Sequence, residues 1–149
     1  MPFLARGEHI SAIGVMSAAG LLDVSIVKGG TDGDAFSSTI QKHLLPHLMP
    51  FNGGSPHSVV IMDNCSSHHI HEVAAMIEKV GALIHFLPRY SPDLVPIELL
   101  FSKVKKTLRS RDMEDNMDID TLLLTAFTTV TQEDCTGWIN ESGIYNTAV

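Results

Sequence analysis

The 149-residue sequence predicts an α/β fold with a mixed sheet. Three observations carry that expectation. Two short apolar runs, Val59-Val60-Ile61-Met62 and Ala82 to Leu87, read as strands buried on both faces. Between them Ile70, Val73, Ala74 and Ile77 form the i, i+3, i+4, i+7 stripe of a helix. Ahead of them lie two β-branched and apolar stretches joined at Ala19-Gly20.

In chain order, His9 to Ser17 and Leu21 to Lys28 read as a hairpin that ends at Gly29-Gly30. Asp34 to Leu48 reads as a helix, with Phe36, Ile40, Leu44 and Leu48 along one face and Pro46 breaking its end. Asn52 to Pro56 is a loop. Ser58 to Met62 is a strand that stops at Asp63, Ser67 to Val80 a helix with Gly81 just past its end, and Ala82 to Leu87 a strand. A Pro-rich loop, Pro88 to Pro96, leads into a helix to Arg111, with Pro96 at its first position and Ile97, Leu100, Phe101, Val104 and Leu108 buried. Ile119 to Val130 and Glu133 to Asn140 complete the helices, and Trp138 and Tyr145 read as packing anchors. No repeat divides the chain, so residues 1–149 are expected to form a single domain.

Composition narrows the function classes. The chain is 44% hydrophobic and 18% charged, which suits a globular domain rather than a disordered one. No apolar run reaches the roughly 18 residues of a membrane span, and residues 1–8 lack the pattern of a signal peptide. An intracellular location is expected, nuclear if the source is eukaryotic. Cys65 and Cys135 lie outside any CxxC pattern, which argues against a disulfide or zinc framework. The net charge of −7 argues against a simple DNA-binding module. Five of the ten basic residues nevertheless fall in one stretch: Lys103, Lys105, Lys106, Arg109 and Arg111. Lys103, Lys105, Lys106 and Arg109 are therefore candidates for DNA-backbone contacts; the alternative is a solvated helix face paired with the acids that follow. His68 and His71 share a helix face, but no further ligand follows at zinc-like spacing. The absence of GxSxG argues against a small α/β hydrolase.

Two carboxylates stand out by position. Asp63 ends a buried strand, the edge where open α/β sheets place their sites. Glu98 falls in the first turn of the helix after the Pro-rich loop, 34 residues further on. Each has a plain structural reading as well, a strand-end turn residue and a favourable charge at a helix N-terminus.

The blocks around them resemble a known family. Val60-Ile61-Met62-Asp63-Asn64-Cys65-Ser66-Ser67-His68 resembles the DNxxxH block of mariner-type and related bacterial insertion-sequence transposases. Leu87-Pro88-Arg89-Tyr90-Ser91-Pro92-Asp93-Leu94-Val95-Pro96-Ile97-Glu98 is similar to their LPPYSPDLNPIE block, and the spacing of 34 is also the family's. Residues 6–22 resemble the segment between the first and second acids, and residues 101–105 the helix after the third. The resemblance implies a ribonuclease-H-like mixed sheet flanked by helices. It also implies a DDE endonuclease chemistry of DNA cleavage and strand transfer at a site of two Mg²⁺ or Mn²⁺ ions. Asp63 and Glu98 would be metal ligands, with Asn64 and His68 supporting them. DNA is the implied partner, with no membrane and a homodimer as one assembly state. The family's first acid and its central strand would precede Met1, which implies an incomplete metal site and weak catalysis. The alternative is a non-catalytic, domesticated or decayed remnant that binds nucleic acid or a protein partner. Val95 stands where the family has Asn, and Arg89 where it commonly has Pro.

Overall fold

Alternation of apolar residues along 8–28 builds an antiparallel sheet. The computed structural model describes residues 2–5, 8–29, 33–63, 70–87, 96–110 and 118–142. Strands β1 (Pro2–Ala5), β2 (Glu8–Ser17) and β3 (Gly20–Lys28) lie in that order, all antiparallel. The expected hairpin is β2–β3. Its turn places Gly20 at φ 124°, a conformation that only glycine adopts without a steric penalty. β1 is an addition to the expected elements. Four residues are too few for a periodicity to show, and the strand is defined by its pairing with β2, from Pro2↔Ser11 to Ala5↔Glu8. Pro2, lacking an N–H, occupies the first strand position, where proline is tolerated.

β2 and β3 bury one face together. Ala12, Gly14 and Met16 oppose Ile26, Val24 and Leu21 in the register. Ile10 and Ala12 join the core formed with Leu100, Phe101, Val104, Leu123, Ala126 and Phe127, and Met16, Leu21, Val24 and Ile26 pack against it. A bulge between Val15 and Met16 leaves Leu22 without a register partner. Val15 packs instead against a second core of Ile40, Leu44, Val60, Val73, Ile77 and Ala82. The hairpin therefore touches both cores.

The expected helix from Asp34 to Leu48 changes type along its length. It starts as α1 (Gly33–Thr39), widens to a π-helical turn (Ile40–Leu44) and tightens to a 3₁₀ turn (Leu45–His47). Pro46 supplies the cause: it cannot donate a hydrogen bond, and its ring crowds the carbonyl four residues back. The Leu45 N–H accordingly reaches Ile40 O, five residues back, and Leu48 N–H closes on Leu45 O at 3.1 Å.

β4 (Val59–Asp63) and β5 (Leu83–Leu87) pair in parallel, from Val59↔Leu83 to Asp63↔Leu87. Helix α2 (Ile70–Lys79) connects them and buries Val73 and Ile77 completely. Gly81, at φ 88°, ends this crossover. A Cβ there would stand 3.2 Å from Pro50 Cα, and Phe51 N–H bonds to Gly81 O at 2.9 Å, so the close approach requires glycine. Among the described residues the strands form two sheets, where the sequence predicted one mixed sheet. β2 bonds to β1 and β3, and the described partner of β4 is β5 alone.

Helices α3 (Pro96–Ser110), α4 (Ile119–Phe127) and α5 (Gln132–Ser142) cover the hairpin. The α3 stripe read from the sequence is the buried one, with Leu100 and Val104 fully inaccessible. Asp118, one of an acidic run in the sequence, caps α4 by accepting from Thr121 N–H at 2.8 Å. Trp138 packs against the first core as expected, and Tyr145 lies outside the described residues. No helix among the described residues is long and apolar enough to cross a membrane.

Candidate active site and the cationic face of α3

The parallel pair sets the position of Asp63. It is the last residue of β4, and its register partner Leu87 is the last of β5, so both strands end at one edge. That carboxyl edge is where α/β sheets place ligands. Asn64 and His68 lie outside the described residues, as does the loop 88–95 with Arg89, Asp93 and Val95.

Glu98 is the third residue of α3, behind Pro96 at the first helical position. Its side chain is exposed. Its carbonyl accepts the Ser102 hydroxyl at 2.9 Å, while its carboxylate has no hydrogen-bond or ion partner among the described residues. A free carboxylate in a first turn is favoured by the helix dipole and remains available to a cation. The start of α3 is fixed against β2. A methyl group on Gly14 would stand 3.3 Å from Ile97 Cδ1 and 3.6 Å from Phe101 Cζ. Ile97 adjoins Glu98, so the fit at Gly14 sets where the backbone of Glu98 stands.

Asp63 and Glu98 are hard oxygen donors from two different elements, the ligand type that Mg²⁺ and Mn²⁺ take. Among the described residues no group of three or more His, Cys, Asp or Glu side chains is arranged to hold a metal ion.

The four cations proposed from the sequence separate into two groups. Lys103 turns inward: its Nζ bonds to Thr129 O at 3.0 Å and pairs with the Asp134 carboxylate. Asp134 also accepts Thr131 N–H at 3.0 Å, and Thr131 Oγ1 accepts Asp134 N–H at 3.0 Å, a reciprocal cap on α5. Lys103 thus ties α3 to α5. Lys105, Lys106 and Arg109 have no ion partner among the described residues.

The Lys103 ammonium, and then the Thr131 N–H, hold the Asp134 carboxyl below its ordinary value of 3.8. A carboxylate depressed in the folded state stabilises above the unfolded value and loses that contribution as pH falls through the folded one. Acidification from about pH 4 downward should therefore loosen the α3–α5 contact. An Asp134→Asn variant should show a shallower fall of the urea midpoint below pH 4; an unchanged profile would refute this role.

Sequence reasoning passed over Asp23. Its Oδ1 lies 3.1 Å from His43 Nδ1 and its Oδ2 3.5 Å from His47 Nε2. Partial burial opposes ionisation, but the bonds from His43, Val24 N–H and His47 outweigh it and keep the carboxyl below its ordinary value. The cluster pins the π-helical and 3₁₀ turns to β3. No local pattern could have shown it, because the pairing spans 20 or more residues.

A family model described as DDE superfamily endonuclease matches residues 4–120 of the 149. Comparison with curated proteins gives no match.

Proposed function

The chain belongs to the DDE superfamily endonuclease family, and from that premise we propose that it is a transposase-derived domain of mariner type. Its reaction would be metal-dependent cleavage and transfer of DNA strands on a ribonuclease-H-like fold. The carrying observation is the pair of carboxylates, Asp63 at the carboxyl edge of a parallel strand pair and Glu98 in the first turn of α3, without an ion partner among the described residues.

In this reading Asp63 and Glu98 hold divalent metal. When bound, two such ions neutralise charge on the scissile phosphate and activate the attacking oxygen. The protein's own part is positional. β4 and β5 set Asp63 at the sheet edge, Pro96 starts α3, and the Ile97 and Phe101 contacts at Gly14 fix where Glu98 stands. Asn64 and His68 are the proposed orienting groups for ligand or phosphate. DNA is the substrate.

Calorimetric titration of the purified chain with Mn²⁺, beside an Asp63→Ala, Glu98→Ala double variant, tests this. Saturable binding in the wild type that is lost in the variant is expected. A folded wild-type chain with no saturable binding would remove the metal-dependent reading and leave a non-catalytic nucleic-acid or protein-binding role.

A further inference from the structure

β5 has an unprotected outer edge. Leu83 N–H bonds to Ser58 O at 2.9 Å, so Leu83 and, by strand alternation, His85 direct their backbone groups at β4. Ile84 and Phe86 direct theirs away, and among the described residues these groups have no partner. Edge strands are usually blunted by lysine, proline, a bulge or a covering segment. Leu83-Ile84-His85-Phe86-Leu87 holds no lysine or proline, and its register with β4 runs without a shift. The face beside this edge is apolar. Val59 and Leu83 are register partners on one face, 42% and 46% exposed, while Val60 and Ile84 face the second core with Val73 and Ile77 of α2. Phe51, 48% exposed, adjoins the start of β5 through its N–H bond to Gly81 O. Residues 48–62 and 80–88 hold no Asp, Glu, Lys or Arg, in a chain that is 18% charged.

We infer that the outer edge of β5 docks an extended, uncharged segment of another protein, which adds to the sheet as a third strand. Hydrogen bonding sets the partner's conformation. The free groups of Ile84 and Phe86 recur at every second residue, and an extended chain is what satisfies such a row in series. The pleat sets its side chains. Alternate residues of the added strand lie beside Leu83 over the exposed apolar face, and their neighbours lie beside Ile84. Charge sets its composition. The edge holds no lysine or arginine to bind a phosphate backbone, and a charged peptide side chain would exchange water for apolar surface. Access selects β5 over β4. Val60 is buried and Ile61 and Met62 are half-buried, whereas Leu83 and His85 are exposed, so β5 is the strand that a partner reaches from solvent. The site uses neither Asp63 nor Glu98.

The probe is a blocked, fluorescent peptide of alternating valine and threonine, N-methylated at every second residue. It keeps one hydrogen-bonding edge and cannot pair with itself on both sides. Fluorescence anisotropy should show saturable binding to the full chain. The same peptide methylated at every residue keeps the side chains but loses the donors, and should bind about tenfold more weakly. Leu83→Lys should also weaken binding about tenfold, since an edge lysine opposes strand addition. Leu124→Lys makes the same change at a leucine of α4 that is 48% exposed, and should leave the affinity unchanged. Amide hydrogen exchange locates the contact: bound peptide should slow Ile84 and Phe86 and leave Leu83 and His85 as they were. No saturable binding, equal affinity for the fully methylated peptide, or equal losses at Leu83 and Leu124 overturns the proposal. Protection at Val59 and Ile61 in place of Ile84 and Phe86 does so too, as does sedimentation showing a dimer that Leu83→Lys converts to monomer, which would make the occupant a second copy. Asp63→Ala, Glu98→Ala should bind the peptide as the wild type does, so this result is separate from that of the metal site.

Discussion

Phe101→Ala should destabilise the fold by about 3–5 kcal/mol, the usual range for removing a buried phenylalanine. Phe101 is 7% exposed in the core that joins the hairpin to α3 and α4. Its ring meets Phe127 edge to face, with centroids 6.3 Å apart at 82°. That geometry contributes about 0.5–1.5 kcal/mol beyond burial, so a double-mutant cycle with Phe127→Ala should return a coupling of that size. Such a loss is a large share of a typical total stability of about 5–15 kcal/mol. Urea unfolding gives the check: the midpoint should fall with the slope preserved. A loss below about 1 kcal/mol would mean that the two helices do not close over the hairpin in this way.

Gly14→Val should cost about 1–3 kcal/mol by overpacking, and should weaken Mn²⁺ binding as well. The added Cβ alone would stand 3.3 Å from Ile97 Cδ1, and valine's two methyl groups need further room toward Ile97 and Phe101. Gly14 is held in the β2–β3 ladder opposite Val24, so relief should come from the start of α3, which carries Glu98. Gly14→Ala is the milder case, since the Ile97 side-chain end needs to move only a few tenths of an ångström. The informative comparison is Mn²⁺ affinity in Val against Ala at matched folded fraction. Equal affinity would show that the Gly14 contact carries stability only and does not position the carboxylate.

Much of the local structure was legible in the sequence, because period and punctuation are local properties. The α2 and α3 stripes appear where their spacing placed them, and the two apolar runs are strands, but not strands buried on both faces: Val59, Leu83 and His85 are exposed, while Val60 packs with Val73 and Ile77 in the second core. Asp63 and Glu98 were found in the same way: one ends an apolar run and the other follows a proline at a helix start. The helix containing Pro46 was read in extent but not in type. Pro46 removes one hydrogen bond and crowds the carbonyl four residues back, and the wider turn that precedes it carries Ile40 and Leu44 into the second core.

The sequence by itself determined the superfamily, the order of the strands and helices from β2 onward, and the places of Asp63 at a strand end and Glu98 at a helix start, because motif blocks and apolar periods need no partner to be read. Tertiary structure alone decided which residues of like type do different work. Lys103 and Lys105 are two positions apart, yet 200° of helix rotation sends one to Asp134 and leaves the other on the Glu98 face. Asp23 became the anchor for His43 and His47, Asp118 became a cap, and β1 became a strand by pairing with β2. These outcomes depend on contacts between chain segments, some of them far apart in sequence. The free energy of a charge or a short strand is set by the partner it meets.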